Sequence, residues 1–338
     1  MKKHLKVLAA TVLAGLTLSA CGADSGSSSS DEGTTETATV KVGIVQLPIF
    51  APIYVAEAKG YFDEAGLDVQ LETVKSGQDA VPLASSGKLD VVAAGFSAGM
   101  FSAIATGLDI KVVASMGVSD GDTEKSPTDL VVSKAKVDSG DITSIADLKG
   151  KKIGAAGGAG GTGAFLLSLA LEEEGLTIND VEIVNLGNPD MPTALANGSL
   201  DAGLISAPFS TLAIEDGTGV SMAVPPAGTS GTGMLYGGQF ADTENAQKFF
   251  DAVARAAKDL QGEDRYSDEN LKIIAEATGQ TVEELKSVPL YTWMPNLEPL
   301  PEQLEGMEAV WMESGAIEYE EAIKQDTYID SSFSEKTS

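Results

Sequence analysis

The chain has 338 residues, 43% of them hydrophobic, with 22 Lys and Arg against 50 Asp and Glu and a formal charge of −28. So acidic a surface repels nucleic acid and an anionic membrane face and argues against both as partners; it reads as a solvated, self-repelling exterior. With one cysteine, Cys21, and one histidine, His4, no disulfide can form within the chain, and Ser-His or Cys-His catalysis in the folded body is excluded.

Lys2, Lys3 and Lys6 precede the apolar run Val7 to Leu18, which ends in Leu18-Ser19-Ala20-Cys21. A charged start, a short apolar core and small residues before a cleavage point describe residues 1–20 as a bacterial secretory signal, with Cys21 at the lipidation position of a lipobox. The apolar run is too short to span a bilayer, so the expectation is an extracytoplasmic protein held to the cell membrane by acyl chains such as palmitate. Residues 21–38 are small and polar and read as a flexible tether. The leader holds three lysines and no acids, which leaves 19 basic and 50 acidic residues and a charge of −31 on the remainder.

From Thr39 onward the chain reads as two similar halves about 110 residues apart. Lys41-Val42-Gly43 matches Lys152-Ile153-Gly154, and Gly87-Lys88-Leu89-Asp90 matches Gly198-Ser199-Leu200-Asp201. Strand signals at Val40 to Val45 and Val69 to Val74 flank a helix opened by Pro52 that carries Tyr54, Ala58, Tyr61 and Ala65 at helical spacing. Each half alternates strands and helices, which predicts α/β lobes with parallel sheets. Asp129 to Ser133 and Gly233 to Gly237 are expected to cross between lobes. Helical patterns follow over Asn245 to Leu260, Leu271 to Ala277, Val282 to Lys286 and Leu304 to Met312. The expected lobes are 39–127 with 238–338, and 128–237.

Gly158-Ala159-Gly160-Gly161-Thr162-Gly163 fits the G-x-G-x-x-G pattern between a strand-like and a helix-like run. A dinucleotide site also needs an acid ending the second strand, and Val181 to Leu186 places Glu182 at its start instead. Gly95-Phe96-Ser97-Ala98-Gly99 fits the letters of a nucleophile elbow, but its serine has no histidine base. No EF-hand spacing or P-loop is present. The reading is of a binding protein with no catalytic residues, no metal and no cofactor.

Phe50 to Phe62, Gly66 to Val69, Gly87 to Asp90, Ala146 to Ile153 and Ala194 to Ala202 together resemble the substrate-binding lipoproteins of ABC importers, in the branch grouped with nitrate, taurine, alkanesulfonate and thiamine-precursor binding proteins. The resemblance implies a type II periplasmic-binding-protein fold, two α/β lobes joined by two crossing segments with C-terminal helices. It implies a monomer that closes on a small solute and docks on a membrane permease with its ATPase. Relatives commonly carry Trp, an acid, Pro and an aromatic where this chain has Ser206-Ala207-Pro208-Phe209, which implies a roomier pocket and argues against an amine ligand.

Ligands of open α/β sheets sit at the carboxyl ends of the strands. The candidate ligand-binding residues are therefore Gln46, Phe50, Gln78, Phe96, Ser97, Gly161, Thr162, Asn188, Asp190, Phe209 and Tyr236, with the aromatics walling an organic body and helix N-termini favouring negative charge. Only Arg255 and Arg265 exist, both in the C-terminal part, so no guanidinium clamp is expected; Lys75 is the one cation on a cleft loop. The expected ligand is a small organic anion such as a sulfonate or aromatic carboxylate, with a neutral heteroaromatic vitamin precursor as the alternative and a secreted enzyme as the disfavoured class.

Overall fold

The computed structural model describes residues 37–337; the leader, Cys21 and nearly all of the tether lie outside the described residues. Strands β1 (Ala38–Ile44), β2 (Leu67–Thr73), β3 (Val91–Gly95), β4 (Ile110–Met116), β5 (Thr128–Ser133), β6 (Lys152–Ala155), β7 (Glu182–Asn185), β8 (Ala202–Ser206), β9 (Gly219–Ala223) and β10 (Thr232–Gly237) build two sheets. The first has the order β2-β1-β3-β10-β4 and the second β7-β6-β8-β5-β9. β1 pairs in parallel with β2 and β3, as β6 does with β7 and β8. The fourth strand of each sheet runs antiparallel to both neighbours.

The repeat seen in the sequence has a structural meaning. Lys41 N donates to Asp90 Oδ2 at 2.8 Å, and Lys152 N donates to Asp201 Oδ2 at 2.9 Å. Each aspartate thus closes the mouth of its lobe's central parallel pair, where a charge-assisted bond is stronger than a neutral one. The glycines before them, Gly87 at φ +69° and Gly198 at φ +75°, take the left-handed turn that ends the preceding helix. Leu89 and Leu200 are both buried, each against a glycine: a Cβ on Gly43 would lie 2.6 Å from Leu89 Cδ1, and one on Gly154 would lie 2.6 Å from Leu200 Cδ1.

Two sequence expectations need correction. Neither Asp129 to Ser133 nor Gly233 to Gly237 crosses between lobes: the first lies in β5, between β8 and β9 of the second sheet, and the second in β10, between β3 and β4 of the first. The chain crosses through the segments 117–127 and 224–231, which hold each other through Ser119 N to Thr229 O at 2.8 Å and Gly228 N to Ser119 O at 2.8 Å. The helix expected through Tyr54, Ala58, Tyr61 and Ala65 is two helices, Ala51–Ala58 and Tyr61–Glu64, because Gly60 at φ +73° turns the chain between them. Their apolar faces pack on the helix Glu244–Asp259, where Phe62 stacks on Phe249 with ring centroids 4.9 Å apart.

The C-terminal part does not belong to the first lobe alone. Helix Pro301–Glu313 lies along helix Thr162–Glu173 of the second lobe, with Asn179 Nδ2 donating to Glu313 O at 3.0 Å. It also grips the second crossing, since Gln303 Oε1 accepts from Ser230 N at 2.8 Å and Gln303 Nε2 donates to Gly228 O at 2.7 Å.

Candidate ligand cleft

Between the sheets lies a cavity of about 360 Å³, lined at the carboxyl ends of β1, β3, β6 and β8, by both crossings, and by the C-terminal segment Val288–Tyr291. The first lobe supplies Leu47 to Phe50, Lys75 to Gln78 and Gly95 to Ser97; the second supplies the glycine turn around Gly160 to Gly163, Asn188, Ser206 and Ala207. Helices Gly77–Ser85, Ala98–Ala105 and Thr162–Glu173 start at this lining. Ser76 and Ser97 cap the first two by accepting from Asp79 N at 3.2 Å and Met100 N at 3.3 Å. The positive ends of three helix dipoles therefore meet at one cavity. Among the described residues that line it, Lys75 is the only one with a formal charge, and it stands exposed at the rim.

Seven of the eleven residues named from the sequence line this cavity: Phe50, Gln78, Phe96, Ser97, Gly161, Thr162 and Asn188. The other four do not. Tyr236 lies in the middle of β10, fully buried, with its hydroxyl donating to Ala246 O at 3.0 Å and its ring edge-on to Phe240 and Phe333. Gln46 turns away and donates Nε2 to Ala277 O at 2.6 Å. Asp190 is exposed at the end of a short turn, and Phe209 packs against the small apolar cluster of the second lobe around Met191 and Ile205. Side-chain direction is the reason in each: Tyr236 lies within β10 with its ring on the face turned to the core, and Gln46, Asp190 and Phe209 lie beyond strand ends, where packing sets which way a side chain points.

Two of the seven serve the protein itself. The Phe96 ring reaches back over Gly233, where a Cβ would lie 2.2 Å from its Cζ, and joins the core. The Thr162 hydroxyl shares its proton between Phe96 O at 2.9 Å and Gly231 O at 3.0 Å, both on the first-lobe side. Gly231 must be glycine, since a Cβ there would lie 1.9 Å from Thr162 Cγ2. Ser97 and Gly161 form an antiparallel bridge beside this contact, and Trp311 Nε1 donates to Gly161 O at 3.2 Å while its ring lies edge-on to Phe101. The glycine run lets two backbones approach across the cleft.

The C-terminal wall escaped sequence reasoning. Tyr291 reaches the cavity with its hydroxyl in a short hydrogen bond to Thr128 Oγ1, which also lies 3.2 Å from Ser206 Oγ. Burial pushes the Tyr291 phenol above its ordinary value and the nearby Asp129 charge adds to this, against the opposing effect of the two hydroxyls. Asn188 Oδ1 accepts from Ser206 N at 2.9 Å. Behind this wall Trp293 Nε1 donates to Ile49 O at 2.9 Å, so each of the two tryptophans holds a carbonyl of a cavity turn. No motif marks Tyr291; only the fold brings it beside Thr128.

Residues 48–263 match the family described as NMT1/THI5 like. Over 157 residues the chain is 33% identical to a Haemophilus influenzae protein named a putative thiamine biosynthesis protein, covering 46% of this chain and 45% of that one. It is 32% identical to the 4-amino-5-hydroxymethyl-2-methylpyrimidine phosphate synthase of Aspergillus parasiticus, again over 46% of this chain and 42% of the relative. The match thus spans less than half the length of either relative. Among solved structures, the alkanesulfonate-binding protein SsuA of Xanthomonas axonopodis bound to MOPS superposes with a TM-score of 0.64 over 87% of this chain and 99% of that one, at 18% identity, a likeness of fold. With the family matched over residues 48–263 and two α/β lobes flanking one cavity, the chain belongs to the NMT1/THI5-like family and has the fold of the periplasmic binding proteins.

Proposed function

We propose that the protein captures a small organic anion in the interlobe cavity and delivers it to an ABC permease and its ATPase. The observation that carries this is electrostatic. In a chain with 50 acids and 22 bases, the lining described above holds no carboxylate, one lysine and the starts of three helices. Local donors outweigh the acidic exterior because salt screens charges beyond about 8 Å. A sulfonate or aromatic carboxylate suits apolar walls such as Leu47, Ile49, Phe50 and Leu290 with a few polar groups to orient it. The role is capture without turnover: the lining offers no acid–base pair, and His4 and Cys21 are the chain's only histidine and cysteine. Anchoring through Cys21 outside the cell is part of the same reading; Cys21→Ser is expected to abolish incorporation of labelled palmitate.

A second reading, a neutral pyrimidine of the thiamine pathway, is favoured by the names of the two relatives. A thermal-shift screen separates them, since a ligand bound only by the folded state raises Tm. Sulfonates or aromatic carboxylates are expected to raise it, and Lys75→Gln to weaken their binding about tenfold, as loss of one charge-assisted contact would. Stabilisation by pyrimidines alone, untouched by Lys75→Gln, selects the second reading.

A further inference from the structure

Within the cavity lining, the polar groups of the second lobe and the C-terminal segment form an uncharged set. Three hydroxyls, those of Thr128, Ser206 and Tyr291, meet in two contacts. The Ser206 hydroxyl also acts on the Tyr291 phenol, so the three form one connected polar cluster beside Asn188. The orientation of Asn188 is fixed by chemistry: a backbone N–H donates only to the amide oxygen, so the Ser206 N contact leaves both N–H bonds of Nδ2 unpartnered among the described residues. All four residues line the cavity and none is charged.

We infer that Asn188, Ser206, Thr128 and Tyr291 form a neutral, donor-rich subsite that receives a carbonyl or similar uncharged acceptor of the ligand. Donors without a charge distinguish this set from Lys75, the one charged residue of the lining. A second anionic group is disfavoured because Asp129, adjacent in the chain to Thr128 and itself buried, acts on Tyr291 with its charge. An ammonium is disfavoured because no carboxylate lines the cavity. This rests on the anion reading and deepens it: the ligand is a monoanion that also bears a carbonyl. Leaving such donors empty carries a desolvation cost, so a ligand without the acceptor binds more weakly.

The test uses two probe pairs, each differing by one carbonyl: butanesulfonate with its keto analogue, and the meta isomers of ethylpyridine and acetylpyridine, with an aminoalkanesulfonate as the charged control. Calorimetry on the full chain is expected to show the keto member bound about tenfold tighter, the scale of one or two net hydrogen bonds. Asn188→Asp keeps the acceptor for Ser206 N while removing the donors, and its carboxylate weakens both sulfonates alike; Tyr291→Phe removes the phenol; each is expected to bring the keto-to-plain affinity ratio to about one. If Tyr291→Phe fails to fold, Asn188→Asp decides. Equal affinity within both pairs, tightest binding of the aminosulfonate, or a ratio unchanged by the variants overturns the subsite. If only the pyridine pair binds, the anion reading falls and the subsite is judged on that pair; if neither pair binds, both fall.

Discussion

The two lobes share strand order, register, an aspartate on a backbone amide and a leucine against a glycine, yet they meet the cavity by different means. The first lobe presents Phe50 and two serine-capped helices. The second presents a bare glycine turn whose one hydroxyl, that of Thr162, and whose Gly161 carbonyl are bonded to groups outside its lobe. Repetition therefore governs what makes each lobe fold, while the departures from it govern how the lobes close and what lies between them. The C-terminal helices sharpen the asymmetry, since they follow only one of the repeats in the chain and end up gripping both lobes.

The largest test of this asymmetry removes the strut. Trp311 is fully buried between Phe101 and the Gly161 carbonyl, and Trp311→Ala is expected to cost about 3–5 kcal/mol and to split denaturant unfolding into two transitions, one per lobe. A single transition with unchanged slope would mean that the helix does not couple the lobes. The repeat itself is tested next. Gly43→Val and Gly154→Val put matching bulk against Leu89 and Leu200, and each is expected to cost about 1–3 kcal/mol by overpacking. Similar values from the two, measured by chemical denaturation, support equivalence; a difference well beyond that range breaks it.

A smaller effect concerns closure. Thr162→Val removes the hydroxyl shared by Phe96 O and Gly231 O, which costs about 1 kcal/mol, and it is expected to increase the radius of gyration in solution scattering, whereas Thr162→Ser keeps the compact form. Identical scattering from both variants would show that the contact does not hold the lobes together.

The smallest effects are pH-dependent and opposite in sign in the two lobes. In the first, burial alone would raise Asp259, but hydrogen bonds from Tyr61 and Lys59 and the charges of Lys59 and Arg255 outweigh it and hold the carboxyl below its ordinary range. Its contribution is present above the unfolded value near 4 and is lost as pH falls through the folded one. In the second, burial raises Asp129 despite the Ser221 bond, so its ionised form opposes folding at neutral pH and the opposition fades in acid. Asp129→Asn is expected to stabilise the fold slightly at neutral pH, by less than about 1 kcal/mol, because it removes the buried charge while keeping an acceptor for Ser221. The gain should shrink in acid. Thermal melts of Asp129→Asn and Asp259→Asn across that range check both signs.

Much of the fold was legible because it rests on local chemistry repeated in the chain. The Gly-x-Leu-Asp motifs, the strand signals and the helix after the glycine run all depend on residues within a few positions of one another. The misplacement of β10 has a physical cause as well: an apolar strand carries no mark of which sheet it joins, since either offers the same backbone partners. The cleft loops were legible as loops, from the rule that ligands of such sheets sit at strand ends. Gln46, Asp190, Phe209 and Tyr236 fall outside the cavity lining because side-chain direction, in a turn or within a strand, is set by tertiary packing.

What the sequence by itself determined is the repeat, the two-lobed class, the absence of histidine and cysteine chemistry in the body, and the acidic surface, because each is a matter of composition or short-range pattern. Only the tertiary structure decided that Thr162 faces the opposite lobe, that Trp311 and Trp293 hold the two cavity turns, and that Tyr291 stands beside Thr128. Those contacts join residues more than sixty positions apart, and their geometry is fixed by how the sheets, crossings and C-terminal helix pack together, which no local pattern encodes.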